Sequence, residues 1–444
     1  MKSKFIFPFI LLAGICALGL FYVPIEPTPA AVGTVNPADI AWMLTAAGLV
    51  LLMTPGLSFF YGGMVSKKNI ISTMLQSFIS LGVITVLYIF IGFSISFGDS
   101  FHGLFGNPFQ FFMFRNVGLA VDARLCPTIP LLLFAVFQLK FAIITPALIT
   151  GSFAERVKFN SYLLFISLFT VFIYAPLAHW TWHPDGFLHK WGVLDFAGGA
   201  VVHMSAGYAA LAGAMVLGRR TSHNENVTHE PANIPFVILG TGMLWFGWFG
   251  FNAGSSLGAN TTAILAFATT VAASASAMMA WIFFDAIRGK KISAMGACIG
   301  AVVGLVAITP AAGYVTIGHS LLIGFVASII SNLAVRAKNR SSLDDTLDVF
   351  PCHGVGGIVG MLLTGVFAKD VGLFYGHTTV FMYHLLAMVI VSVFTFGGSY
   401  LLYKITDFIV PLRVSEQEEK DGLDFTQHDE MYKLKKPIVD INVE

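Results

Sequence analysis

Residues 40–66 read IAWMLTAAGLVLLMTPGLSFFYGGMVS and residues 69–98 read NIISTMLQSFISLGVITVLYIFIGFSISFG, with Lys67 and Lys68 between them. Neither stretch holds an Asp, Glu, Lys or Arg. A hydrocarbon core about 30 Å thick takes about 20 apolar residues per helix, so each stretch is long enough to cross a bilayer once. Composition agrees: 56% of the 444 residues are hydrophobic and 11% charged, where a soluble domain carries roughly 25% charged residues. A net charge of +1 excludes a strongly basic nucleic-acid binder. Cys16, Cys126, Cys298 and Cys352 are scattered, with neither disulfide-framework nor metal spacing. No HExxH segment marks a zinc enzyme. No cofactor is expected, and nothing reads as an enzyme.

Working outward, uncharged runs supply nine further spans. The third runs from about Pro127 to Ala154, interrupted by Lys140, the fourth fills Phe159 to Pro184, and the fifth begins beside Asp195 and ends at Gly218. Pro231 to Phe284 is too long for one helix and breaks between Gly254 and Asn260 into spans six and seven. Ile292 to Val335 splits near Thr309-Pro310 into eight and nine; Val349 to Ala368 is the tenth, and Val371 to Tyr403 holds the eleventh. The expected fold is an all-α membrane protein of eleven transmembrane helices, one domain over residues 37–410. Spans one to five and six to ten form two five-helix halves, inverted because five is odd, with the eleventh as a final helix. Inverted repeats place the pathway at the interface between halves. Sequence similarity between the halves is weak, so this expectation rests on topology.

Loop charge sets the orientation. The side that holds Lys67 and Lys68 carries twelve Lys and Arg residues in its loops, among them Arg156, Arg220 and Lys338; the other side carries four, Arg115, Arg124, Lys190 and Lys369. The first side is expected to be cytoplasmic, the first span starting outside. Lys2 and Lys4 precede an apolar stretch, Phe5 to Tyr22, and a Pro-rich segment up to Pro37. Residues 1–30 thus read as a cleavable signal peptide of a bacterial inner-membrane protein, cut after Gly19 or after Ala30; a retained twelfth helix is the other reading. Ile15 before Cys16 argues against a lipoprotein signal. Residues 411–444 form a charged cytoplasmic tail.

An ionisable residue inside a span is a functional candidate, because it is expensive among lipid tails. His203 lies in Asp195-Phe196-Ala197-Gly198-Gly199-Ala200-Val201-Val202-His203, and His353 in Asp348-Val349-Phe350-Pro351-Cys352-His353-Gly354-Val355-Gly356-Gly357. Each sits in the fifth helix of its half, where a pseudo-two-fold axis brings such helices together. Two unrelated core histidines are the plainer reading. The glycines favour close helix approach and with it a narrow pore. Asp195 either caps its helix or holds a cation's field at a vestibule, and both readings stand together. Trp248 and Phe251 belong to a run of rings and small residues, Trp245 to Ser255. Such rings pack more often than they bind, yet a cation on an aromatic face gains about 0.5–2 kcal/mol.

The motifs Ala38-Asp39-Ile40-Ala41-Trp42-Met43, Phe59-Phe60-Tyr61-Gly62-Gly63, Gly151-Ser152-Phe153-Ala154-Glu155-Arg156, Leu194-Asp195-Phe196-Ala197-Gly198-Gly199, Trp248-Phe249-Gly250-Phe251-Asn252-Ala253-Gly254-Ser255 and His353-Gly354-Val355-Gly356-Gly357 resemble the Amt/Mep/Rh ammonium transporter family, its bacterial Amt branch in particular. The resemblance runs from about Pro37 to His428. It implies a homotrimer with one pore per subunit, conducting ammonium or methylammonium across the lipid membrane. It makes His203 and His353 twin pore histidines and Phe141 and Phe251 stacked gate rings. Trp182, Phe141 and Ser255 become an outer recruitment site, with Asp195 beside it. The segment Trp182 to Asp195 is one residue longer than the family's usual. Lys140 stands where the family carries a neutral residue and is expected to face away from the pore or snorkel outward. Cys352 stands where a small apolar residue is common and packs as one. The tail from Leu412 resembles the family's C-terminal region, which implies docking onto the loops after Lys158 or Arg220 through Leu412, Val414, Leu423 and Phe425, and a PII-type signal protein as partner.

A dry pore penalises a bare charge severely. Ammonium can shed a proton and cross as ammonia, whereas potassium cannot, and two neutral imidazoles can pass a proton. Two readings of other classes remain. An ammonium receptor is disfavoured, because a tail of about 34 residues has no room for a kinase or cyclase domain. A cation-coupled organic-solute transporter is expected to open a larger cavity.

Overall fold

A computed structural model describes residues 6–21, 34–225 and 230–432. Among these residues ten helices are long and apolar enough to cross a membrane. In chain order they are α1 (Pro37–Met64), α2 (Lys67–Phe97), α3 (Leu131–Ser152), α4 (Phe159–Lys190), α5 (Gly199–Leu217), α6 (Ile234–Gly254), α7 (Thr261–Ile287), α9 (Ile317–Asn339), α10 (Phe350–Phe367) and α11 (Thr379–Ile409). Between α7 and α9 lies a shorter apolar helix, α8 (Ala294–Ile308), of 15 residues. At 1.5 Å per residue it is about 22 Å long, less than a bilayer core, which is why the eleven expected spans become ten by length.

Polar residues start the helices where the uncharged runs begin. Asn36, Asn233, Asn260, Ser293 and Thr316 each accept a first-turn N–H of α1, α6, α7, α8 and α9 respectively, satisfying donors that the helix itself leaves free. The break between α6 and α7 is pinned from a distance: Asp39 at the start of α1 accepts the Ala259 N–H at 2.8 Å.

Glycine decides which helices touch backbone to backbone. A Cβ on Gly240 of α6 would lie 2.3 Å from the Phe60 nitrogen of α1, and one on Gly207 of α5 would lie 2.2 Å from the Gly354 nitrogen of α10. No larger residue fits at either crossing. Leu44, Phe246, Ile264, Phe283 and Val393 point outward and exposed, as a lipid-facing surface requires. The segment between α2 and α3 adds two short antiparallel pairs that the all-α reading does not anticipate: β1 (Ser100–Phe101) with β2 (Phe105–Gly106), and β3 (Val121–Asp122) with β4 (Cys126–Pro130).

At the N-terminus Ile6–Gly19 is a helix with almost every residue exposed. The second cleavage position, after Ala30, lies outside the described residues, as does the tail beyond residue 432.

Most of the described tail is docked. Lys158 N–H donates to Leu412 O at 2.8 Å and Val414 N–H to Arg156 O at 3.0 Å. Leu412, Val414 and Leu423 are buried, whereas Phe425 is 53% exposed and does not share in the docking. Asp424 accepts the Ser72 N–H at 2.7 Å, and the Lys68 ammonium donates to Glu419 and Lys420 carbonyls. The tail therefore also covers the start of α2, a surface the sequence reading did not name.

Beneath it lies a buried charge cluster. Arg220 holds Asp344 with two nitrogens, at 2.9 and 3.0 Å, and Glu155 at 2.8 Å. Burial alone would raise the Asp344 carboxyl, but Arg220 and Arg156 outweigh it and hold it below the usual carboxylate range. Removing one partner of a buried pair costs about 3–5 kcal/mol, because the remaining charge is stranded. Arg220→Leu is expected to lower the melting temperature of the purified protein in detergent markedly more than Arg219→Leu, whose bonds go to exposed carbonyls. Equal melting temperatures for the two variants would contradict this account of the cluster.

Candidate functional site

One end of the bundle opens into a cavity of about 390 Å³ lined by Phe137, Phe141, Trp182, Asp195, Ser255 and Tyr314, among others. Lys140 is partly exposed and is not part of this lining, in line with the expectation that it turns away. Trp182 is anchored by its indole N–H, which donates to Asp195 O at 3.0 Å, and it meets Phe141 edge to face at 5.7 Å. Phe141 and Phe251 lie across the floor with ring centroids 4.3 Å apart, both almost fully buried. Ser255 spends its hydroxyl proton on Phe251 O, at 2.8 Å, leaving only lone pairs toward the cavity.

Asp195 is a cap. Its two oxygens accept the N–H groups of Gly198, Gly199, Ala200 and Val201 at 2.9, 2.5, 2.9 and 3.3 Å. Four donors at a helix start converge on one carboxylate, where the macrodipole favours it. Gly198 takes φ +114° to bring the chain round, a conformation that only glycine adopts freely. The turn that follows, Gly199–Met204, is π-helical, and His203 is its fifth residue.

The second histidine repeats this construction. His353 lies in a π-helical turn, Phe350–Gly354, and Asp345 accepts the Phe350 N–H at 2.7 Å. Asp195 precedes His203 by eight residues and Asp345 precedes His353 by eight. The sequence reading missed Asp345, and that equal offset was the signal. Asp348, which it quoted instead, pairs with Lys338 at 2.7 Å. Burial, with Asp348 adding to it and Lys338 opposing, pushes the Asp345 carboxyl up to about 6.

Below the phenylalanine floor the imidazoles meet. His203 Nδ1 and His353 Nδ1 are 3.4 Å apart, and His203 stacks on Trp248 at 5.4 Å and 21°. His203 Nε2 is 3.3 Å from Thr309 Oγ1, which also accepts the Trp248 indole N–H at 2.9 Å. Thr309 in turn donates to Leu305 O at 2.8 Å. A carbonyl can only accept, so the Thr309 proton is committed and His203 Nε2 must be the donor. In neutral His203, Nδ1 is then the acceptor, and the proton between the rings belongs to His353. Thr309 thus fixes both tautomers, yet in the sequence it marked only a helix break. His353 also lines a narrow cavity of about 10 Å³ with Tyr61, Leu347 and Cys352, which holds at most about one water. No group of three or more His, Cys, Asp or Glu able to hold a metal occurs among the described residues.

The profile of the Ammonium Transporter Family matches residues 41–433. The chain belongs to the ammonium transporter family. It is 44% identical to the putative ammonium transporter of Methanothermobacter thermautotrophicus over 405 residues, 89% of this chain and 98% of that protein. Among solved structures, Mep2 of Saccharomyces cerevisiae superposes with a TM-score of 0.82 at 33% identity, over 88% of this chain and 93% of its own. A structure described as a sensor Amt protein superposes at 0.80 with 30% identity, over 88% and 98%. In this family member, as in any membrane-embedded protein, a donor left without an acceptor is costly, about 1–3 kcal/mol when buried. Thr309→Val strands the indole N–H of Trp248 and the Nε2–H of His203 together. The variant should melt several degrees below the wild type and below Thr309→Ser, which keeps the hydroxyl; a valine variant as stable as the serine one would refute the tautomer assignment.

Proposed function

We propose that this family member carries ammonium across the cytoplasmic membrane of a bacterium. The reading rests above all on one arrangement: two neutral imidazoles in Nδ1 contact directly beneath a closed pair of phenylalanine rings. The cation enters the aromatic cavity, where the faces of Trp182 and Phe141 and the lone pairs of Ser255 replace part of its water; cation–aromatic contacts of this kind are worth about 0.5–2 kcal/mol. Beyond Phe141 and Phe251 the lining is aromatic and a bare charge is poorly compensated, so the cation leaves its proton on water in the aromatic cavity and continues as ammonia past His203 and His353. Potassium has no proton to lose and stops at the floor. The His353 cavity is far smaller than an organic-solute site needs, usually about 300–1,000 Å³. The likeness to a sensor Amt protein keeps ammonium sensing as a second reading.

The same proposal takes the chain as eleven spans in two inverted five-helix halves, α8 crossing as a short one. Its supports are the equal Asp-to-His offsets and the matched glycine crossings, α1 on α6 and α5 on α10. It places the aromatic cavity outside and the tail inside, with residues 1–30 as an exported leader, three chains as a trimer, and the docked tail as a surface for a PII-type protein. Replacing His203 and His353 together with apolar residues is expected to abolish methylammonium uptake into proteoliposomes, or to admit potassium. Unchanged flux and selectivity would refute the pore. Truncation at Pro411 is expected to reduce uptake while the protein stays trimeric in detergent; wild-type uptake by the truncated trimer would show the tail to be dispensable for conduction.

A further inference from the structure

The mouth of the aromatic cavity carries a cation of its own. Arg124 is part of the cavity lining, a poor neighbour for a site that is to attract a positive ion. The β3–β4 hairpin holds it there: Asp122 accepts the N–H groups of both Arg124 and Leu125 at 2.9 Å, which fixes the turn. Across the mouth, at the end of α4, Asp185 meets the Arg124 guanidinium at 2.5 Å with one oxygen and the Lys190 ammonium at 3.1 Å with the other. Asp185 is itself held by its backbone N–H, which donates to His183 Nδ1 at 3.0 Å. It lies in the segment between Trp182 and Asp195 that is one residue longer than the family resemblance leads one to expect.

Arg124 and Lys190 face two carboxylates at the rim, Asp185 and the hairpin's own Asp122, and without Asp185 one positive charge would be left over. The carboxylate of Asp195 is already committed to four backbone N–H groups, and Ser255 offers no charge. We propose that Asp185 is a positioning residue that sets the affinity of the cavity for its cation, by compensating and restraining Arg124 at the rim. The inference rests on the transport reading above and adds to it the group that tunes recruitment. An exposed pair contributes only about 0–1 kcal/mol to stability, so breaking it leaves the fold intact, and its effect is read in the potential at the mouth.

The test is methylammonium uptake into proteoliposomes, with KM and maximal rate measured separately at low and high salt. A unit charge at a separation on the order of 8 Å from a bound cation changes its affinity about two- to sixfold at effective dielectrics near 80 to 40. Asp185→Asn should raise KM by that factor without changing the maximal rate. Arg124→Gln should lower KM, and the double variant should return near the wild type. All four proteins should converge at about 1 M sodium chloride, where the Debye length is about 3 Å. Wild-type uptake with an unaltered KM in Asp185→Asn, or a shift that persists at high salt, overturns this inference alone. Absence of uptake by the wild type overturns the transport reading and this one with it. Should Asp185→Asn fail to fold, Arg124→Gln decides the matter: an unchanged or raised KM overturns the proposal.

Discussion

How near two helix backbones can come is set at Gly207 and Gly354, where a Cβ would lie 2.2 Å from a backbone nitrogen. That one crossing puts the π-helical turns of α5 and α10 side by side, and those turns carry the imidazoles. Gly199 and Gly357 extend the contact, the Gly357 Cβ position lying 3.0 Å from Gly199 O. A methyl group at the crossing would push the rings apart, and the hydrogen bond between them, 3.4 Å in this structure, has no length to spare. The narrowness of the space beside His353 is a property of the backbones before it is one of the side chains.

The π-helical turns serve the same end. An extra residue in a turn shifts the side chains that follow and leaves one carbonyl poorly used, a conformation frequent at functional sites. Here each turn is opened by an aspartate accepting backbone N–H groups. The carboxylates orient the histidine helices without coming into contact with the imidazoles. Anionic charge at a helix start is favourable, so the group that draws the eye as a cation site is already occupied with the scaffold.

Much of this was legible in the chain. The uncharged runs overlap each of the ten long helices, because charge is what a bilayer excludes most strongly, though α9 starts at Ile317 and α11 at Thr379, well inside the runs that begin near Pro310 and at Val371. Helix α11 continues past Tyr403 through Lys404 and Asp407 to Ile409, as α7 continues past Asp285 and α9 past Arg336 and Lys338. Lys404 is exposed and lies 5.6 Å from the Tyr400 ring, so a charged residue there ends the apolar run but not the helix. His203, His353, Trp248 and Phe251, singled out by residue type, and Phe141, singled out by the family resemblance, lie close together in the structure. Thr309 and Asp345 were not singled out: a threonine beside a proline reads as a break, and a carboxylate outside a span reads as loop. Their roles appear only when hydrogen-bond partners 106 residues apart, such as His203 and Thr309, are seen together. The hairpins between α2 and α3 were equally hidden, since three of their four strands are two residues long and leave no periodicity to read.

The pinned Thr309 hydroxyl gives the pair of rings a polarity. Every donor in the chain from His353 through His203 and Thr309 to Leu305 points the same way. A proton added at the far nitrogen of His353 can push its neighbour across to His203. One arriving from the aromatic side finds both nitrogens of His203 engaged and no lone pair to take it. A proton relayed in that direction therefore needs the wire turned round first, by a rotation of the hydroxyl or of a ring. The hydrogen-bonded chain is thus a one-way relay, with a dead time set by how fast it resets.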